Sequence, residues 1–200
     1  SSDLSINYDE YAIAVQDNTT TTDGAVTITT GKLEGLGLTS ISFDGTDDFI
    51  DLGNPAALNF GTGDFAVSFW TKSTATQVNK YIIGKYSQDN SPAFGIGTTT
   101  DTKSYAFIWD NQEVTLIAGH GVVSLEDNAW HHVVAVYDRD GNLYVYKDGA
   151  LEDTDDISSE SASIDNAFNL LIGKIASGAH FGGKVDDVRF YNRTLSAAEV

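Results

Sequence analysis

The sequence predicts an all-β protein built as a two-sheet antiparallel β-sandwich or jelly roll. Three observations carry this expectation. Short apolar runs with period-2 alternation recur along the 200 residues. Gly and Asp turns separate these runs at intervals of roughly eight to twelve residues, the spacing of sandwiches and barrels. No segment before residue 194 shows the apolar period of 3.6 that an amphipathic helix needs. The length suits a single domain over residues 1–200.

The unit around which the rest is organised runs from Asp127 to Asp153. Two apolar runs, Trp130 to Tyr137 and Leu143 to Tyr146, flank Asp138, Arg139, Asp140, Gly141 and Asn142. Val, Tyr and Trp suit a pleated surface, and an Asp-Gly pair between two such runs signals a hairpin. A second Asp-Gly pair, Asp148-Gly149, carries the meander into a short strand at Leu151.

Upstream, Tyr11, Ile13 and Val15 alternate weakly, and Val26 and Ile28 resume after a Thr-rich loop, giving two expected strands. Ile41 and Phe43 share one face of a strand that ends at Asp44-Gly45, and Ile50 and Leu52 return to that phase. Phe65, Val67 and Phe69 alternate against Ala66, Ser68 and Trp70, so this strand carries bulk on both faces and belongs in the middle of a layered structure. Further strands are expected at Lys80 to Lys85, Ala93 to Gly97, Tyr105 to Trp109 and Glu113 to Ala118. After the hairpin come a polar loop from Asp155 to Asp165, a strand Phe168 to Ile172, a Gly-rich loop Gly173 to Gly183 and a last strand Val185 to Tyr191. Ser196, Ala197, Ala198 and Glu199 have the capping-box form of a helix start, which predicts a short helical turn at the carboxyl end.

Composition narrows the function. Hydrophobic residues make up 41% and aromatic residues 11%, enough to fill a core. Eleven basic against 29 acidic residues give a formal charge of −18, a surface that repels phosphate backbones and anionic headgroups and so argues against nucleic acid and electrostatic membrane binding as partners. The same charge favours neutral ligands and divalent cations. No cysteine is present, so disulfides and thiolate metal sites are excluded. No run approaches the ~18 apolar residues of a membrane span. The chain opens without Met or a signal-peptide pattern and reads as a piece of a larger multidomain protein, secreted or on the cell surface.

Several blocks together resemble the laminin-G-like, concanavalin A-like jelly-roll modules attached to bacterial and marine polysaccharide-active enzymes and adhesins. They are SISFDGTDDFIDLG at 40–53, FAVSFWTK at 65–72, AWHHVVAVYD at 129–138, LYVYKDGAL at 143–151, LLIGK at 170–174 and FGGKVDDVRFYNRTLSAAEV at 181–200. The resemblance implies two antiparallel sheets packed face to face, a concave front and, frequently, one structural calcium. One architecture of this kind carries lectins, catalytic domains and spacers alike, so function must be argued from sites.

The last strand holds a physical anomaly. Asp186 shares its phase with Val188 and Phe190, so a regular strand turns it inward, where an unpaired carboxylate costs several kcal/mol. Calcium takes 6 to 8 hard oxygens, and the resemblance places the Asp44-Gly45 turn, with Asp47 and Asp48, near the start of this strand. One Ca2+ is expected there, held by Asp186, by carbonyls around Gly45, and by Asp44 and Asp48. The residues alone leave open that Asp186 caps a turn or pairs with Arg189 or Lys184. Asp138, Asp140 and Asn142 imitate the start of an EF-hand, but no Glu stands at the twelfth position and a hairpin turn explains them better.

For ligand binding, Tyr105, Phe107 and Trp109 alternate with Ala106 and Ile108, which places three rings on one face of one strand at a spacing of roughly 6.6 Å. Sugar rings stack C–H faces on aromatics while neighbouring amides and carboxylates take the hydroxyls. Asp110, Asn111 and Gln112 follow at once, and Tyr81 and Tyr86 flank a short strand and are expected to line a rim. The alternative is that these rings are core. Tyr144 and Tyr146 are read as inter-sheet packing. His131 and His132 point to opposite faces of their strand and are read as structural. Catalysis is not expected: the seven glutamates fall in loops, strand ends or a cap, the candidate inner strands carry no paired carboxylates, and no nucleophile elbow or phosphate loop is present. The expected function is a non-catalytic carbohydrate-binding module that binds a polysaccharide or glycan and carries a structural calcium. The alternative is a calcium-rigidified spacer or protein-contact domain of an adhesin.

Overall fold

A computed structural model describes residues 10–12, 27–29, 40–73, 79–86, 92–98, 103–110, 117–175 and 180–200. Its strands are β1 (Glu10–Ala12), β2 (Thr27–Thr29), β3 (Ser40–Asp44), β4 (Ile50–Asp51), β5 (Phe65–Lys72), β6 (Tyr81–Lys85), β7 (Ala93–Thr98), β8 (Lys103–Trp109), β9 (Ile117–Ser124), β10 (His131–Tyr137), β11 (Asn142–Lys147), β12 (Ala150–Asp156), β13 (Leu171–Ile172) and β14 (Gly182–Tyr191). They form two antiparallel sheets. The eight-stranded sheet runs β12-β11-β10-β5-β14-β3-β2, with β1 pairing the far half of β14; the six-stranded sheet runs β4-β13-β6-β7-β8-β9. The predicted hairpin is the β10–β11 pair, with Ala135 opposite Val145 and Gly141 donating its N–H to the Asp138 carbonyl.

Each sheet turns one set of side chains toward the other. From the larger come Phe65, Val67 and Phe69 of β5, Val133, Ala135 and Tyr137 of β10, and Leu143 and Val145 of β11; from the smaller come Ile83, Phe94, Ile96, Ala106 and Ile108. Phe65 stacks on Tyr137 with centroids 4.1 Å apart and on Phe60 at 4.4 Å. Such pairs add about 0.5–1.5 kcal/mol each beyond their buried area. The Tyr137 hydroxyl, inside this core, donates to the Gly95 carbonyl across the sandwich at 3.3 Å.

One expectation about facing changes. Tyr144 and Tyr146 do not pack between the sheets: with Leu143 and Val145 turned inward, both tyrosines lie on the outer face of the larger sheet, with Ala66, Val134, Val136, Tyr191, Leu195 and Val200. The carboxyl-terminal segment therefore covers that part of the sheet. The predicted turn is there as a capping box, in which the Ser196 N–H and Oγ both donate to the Glu199 carboxylate at 2.8 Å. The strand predicted over Glu113 to Ala118 appears instead as Ile117–Ser124, and residues 113–116 lie outside the described ones. Parts of the first thirty residues, Ile13, Val15 and Val26 among them, also lie outside them.

A buried polar junction ties the loop after β12 to the end of β8. The Arg139 guanidinium donates to the carbonyls of Gly61, Glu160 and Ala162, and its own N–H donates to Asp64 at 2.9 Å. Glu160 accepts from the Asp110 N–H at 2.7 Å, and Asp110 accepts from the Ala162 N–H at 2.6 Å. Burial pushes the Glu160 carboxyl up to about 7, from an ordinary value of 4.5. The folded chain therefore keeps a proton on Glu160 that the unfolded chain releases above its ordinary pKa, so this contribution is complete at low pH and fades as pH rises toward 7. The expected outcome is that the melting midpoint of the native chain gains on that of Glu160→Gln as pH falls from 8 to 5. Parallel profiles would contradict it.

Candidate functional site

Burial of Ala106 and Ile108 between the sheets forces Tyr105, Phe107 and Trp109 onto the outer face of the six-stranded sheet. Tyr105 pairs with Gly97, Phe107 with Gly95 and Trp109 with Ala93; on the other side of β7, Gly84 pairs with Gly95 and Tyr81 with Gly97. The outward positions of β7 therefore carry almost no side chain, and rings from β6 and β8 lean into the space. Phe107 lies over Gly95 so closely that a Cβ there would fall 2.6 Å from its ring. Tyr81 and Tyr86 meet Phe107 edge-on at 5.9 and 5.5 Å, Tyr105 stacks on it at 5.6 Å, and Tyr81 and Tyr86 stand 6.3 Å apart.

Phe107, only 1% exposed, is thus the hub beneath three half-buried tyrosines rather than a contact surface itself. Burial raises the hydroxyl pKa of both Tyr105 and Tyr81 above the ordinary range, so both remain hydrogen-bond donors at neutral pH. Four of the sequence-predicted ligand residues, Tyr81, Tyr86, Tyr105 and Phe107, form one cluster. Trp109 shares the face at the far end of β8 and is half-buried. Asn111 lies outside the described residues. The sequence reading missed the glycines that make the floor, although their alternation in Gly95-Ile96-Gly97 is visible once β7 is known to be central.

The acidic turn after β3 is assembled as expected in part. Asp44 pairs with Gly182 at the start of β14, and a Cβ on Gly45, whose φ is +81°, would meet the Gly182 Cα at 3.2 Å. Oxygens of Asp44, Asp47 and Asp48 lie within 4.8 Å of one another. Asp44 accepts from the Thr46 N–H at 2.7 Å, which lowers its pKa, and Asp48 accepts from the Asp44 N–H at 2.9 Å through Oδ2. Asp48 is 2% exposed, burial pushes its carboxyl up, and its Oδ1 has no hydrogen-bond partner. A buried carboxylate oxygen without a donor is what a cation would satisfy.

Asp186 takes a different place. Asp187, with φ +47°, inserts an extra residue between Asp186 and Arg189, so Asp186 sits opposite Trp70 on the outer face while Val188 and Phe190 remain in the core. It stands four residues along β14 from Gly182, about 13 Å from the acidic turn at strand rise. The expectation that Asp186 faces inward and joins Asp44, Gly45 and Asp48 is therefore corrected; its Oδ1 accepts the Asp187 N–H at 2.8 Å instead. His131 and His132 do point to opposite faces: His131 is buried between the carboxylates of Asp127 at 2.9 Å and Asp148 at 2.8 Å, while His132 lies beside Trp70.

Two antiparallel sheets packed face to face, a ring-lined outer face and an acidic turn define a lectin-like β-sandwich. A family model described as the concanavalin A-like lectin/glucanases superfamily matches residues 44–200, and the chain belongs to that family. Among solved structures, it is similar to domain 4 of AbnA, a GH43 extracellular arabinanase from Geobacillus stearothermophilus, in complex with arabinotriose, at TM-score 0.68 and 16% identity over 88% of this chain and 79% of that one. It is also similar to the binding domain of Paraclostridial mosquitocidal protein 1, at TM-score 0.67 and 17% identity over 80% of this chain and 42% of that one. A third likeness is to the binding domain of botulinum neurotoxin DC in complex with SialylT, at TM-score 0.58 and 14% identity over 88% and 43%. The chain thus spans less than half of either toxin binding domain. All three are domains of larger proteins, and the likeness shows the fold. Among the described residues no helix is long and apolar enough to cross a membrane.

If Phe107 is the hub, Phe107→Ala should cost about 3–5 kcal/mol of stability, the usual loss for a buried ring. The Tyr105 hydroxyl should then ionise nearer the ordinary tyrosine value of 10.0 in a spectrophotometric titration. An unchanged melting midpoint and an unchanged alkaline profile would contradict this.

Proposed function

We propose that the chain is a non-catalytic carbohydrate-binding module of a secreted polysaccharide-active protein, and that it binds neutral glycan chains on the outer face of its six-stranded sheet. The observation that carries the reading is the Tyr81–Tyr86–Tyr105 cluster over the glycine floor of β7. Rings with their hydroxyls protonated offer C–H stacking at the face and donors at the tip, the combination a pyranose or furanose ring uses. A formal charge of −18 disfavours sulfated and uronate polymers. The arabinotriose complex of the similar arabinanase domain supports the ligand class.

The same proposal includes one calcium at the acidic turn, held by Asp48 Oδ1 with Asp44, Asp47 and carbonyls near Gly45. The orphaned Asp48 oxygen is the observation with which a hard cation fits. Bound there, the ion would lock the β3 turn against the start of β14 and neutralise three adjacent carboxylates. Its role would be structural, because the turn joins β3 of the larger sheet to β4 of the smaller one and so ties the two sheets together.

Two measurements test these readings. On a panel of neutral oligosaccharides, isothermal titration should show Tyr105→Ala binding a hit about tenfold more weakly, the effect expected for one lost ring contact; unchanged affinity, or silence across the panel, would contradict the glycan reading. Calcium at a hundred times its dissociation constant should raise the melting midpoint by about 5–10 °C. Asp48→Asn should lose that gain, and an equal gain in both proteins would contradict the site.

A further inference from the structure

Trp70 is 39% exposed and Trp130 37%; with Leu151 they are the exposed large hydrophobic residues among those described. Trp70 belongs to the outer face of the eight-stranded sheet, the side that turns away from the tyrosine cluster, and Trp130 stands just before β10. In one register row across that sheet stand His132, Trp70 and Asp186, with the Trp70 and His132 rings 5.2 Å apart at 32°. In the next row are Val134, Ser68 and Arg189, and in the row on the other side Lys72 pairs with Lys184. Trp130 lies two residues before His132.

The bulge at Asp187 makes this arrangement possible. A regular strand would send Asp186 and Arg189 to opposite faces; the extra residue puts both on the outer one, flanking the tryptophan. The polar edge is fixed rather than loose. Asp186 accepts the Asp187 N–H at 2.8 Å, and Asp187 accepts the Arg189 Nε–H at 2.9 Å. A left-handed backbone at a non-glycine residue is costly, and such strain is concentrated where side chains must be aimed. The carboxyl-terminal segment covers the neighbouring Ala66–Val136–Tyr146 patch.

We infer that this is a second saccharide-binding platform, independent of the tyrosine face, on which a neutral sugar ring stacks on Trp70 while Asp186, Arg189 and His132 take its hydroxyls. The inference deepens the carbohydrate-binding reading and rests on it. The occupant follows from the charge pattern. Lys72 and Lys184 stand in the row beside Asp186, and Arg189 pairs with Asp187, so three of the chain's 11 basic residues gather on a patch that is close to balanced although the whole carries −18. Such a patch favours neither a polyanion nor a basic segment. Planar polar groups beside an exposed indole suit a polyhydroxylated ring. Two platforms on opposite faces would let one module bridge two chains of a polysaccharide, or hold one surface with raised avidity.

The test uses arabino-, xylo-, galacto-, gluco- and manno-oligosaccharides in isothermal titration, with melting midpoints as the folding control. A binding sugar should occupy two sites per chain, and Trp70→Ala and Tyr105→Ala should each leave one. Arg189→Ala, which keeps the ring, should weaken the Trp70 site about tenfold. A single site lost with Tyr105→Ala but untouched by Trp70→Ala and Arg189→Ala overturns this inference alone. A single site lost with Trp70→Ala and untouched by Tyr105→Ala overturns only the tyrosine face, while silence across the panel overturns both. Sedimentation of the native chain as a dimer that Trp70→Ala dissociates would show a second copy as the occupant, and that too overturns it.

Discussion

The packing of two apolar faces against each other sets the facing of nearly every side chain discussed above. Phe65 between Phe60 and Tyr137, with Phe94 edge-on at 5.1 Å, forms a ring stack that only one phase of β5 and β10 can reach. A slip of one residue would turn the whole set to solvent. With Val133, Ala135 and Tyr137 committed inward, His132 must face out; with Ala106 and Ile108 inward, so must Tyr105, Phe107 and Trp109. The rings available for binding are those the core left on the other side of the pleat.

The two outer faces then part company. On the smaller sheet, the glycines of β7 remove side chains from the middle strand, and rings from both neighbours settle over the gap. On the larger sheet, Leu195 and Val200 cap the patch of Ala66, Val136 and Tyr146, and Trp70 stays exposed beside it. A single backbone irregularity decides what stands beside that tryptophan. Were β14 a regular strand through Asp187, Asp186 would share the inward face of Val188 and Phe190, and its carboxylate would need a partner there.

That residue also marks where the sequence was legible and where it was not. Strict alternation in Tyr105-Ala106-Phe107-Ile108-Trp109 announced both a strand and its two faces, and the blocks from residue 40 onward carried the sandwich. Alternation counted through Val185-Asp186-Asp187-Val188 gave a facing that the bulge reverses, because a period-2 count cannot see an inserted residue whose φ is positive. Alternation puts Tyr144 and Tyr146 on one side together but does not say which, since which face is core depends on long-range pairing. The acidic turn was found from its Asp-Gly pair, whereas the orphaned Asp48 oxygen that singles it out is a property of three-dimensional burial.

The claim at the centre is that the tyrosine cluster on the six-stranded sheet touches sugar. Aromatic carbon–proton NMR of the chain, titrated with a neutral oligosaccharide that it binds, observes those rings directly. The ring signals of Tyr81, Tyr86 and Tyr105 are expected to shift together and saturably, with Tyr137, sealed between the sheets, left in place. Saturable binding that leaves all three tyrosine rings unmoved would contradict it.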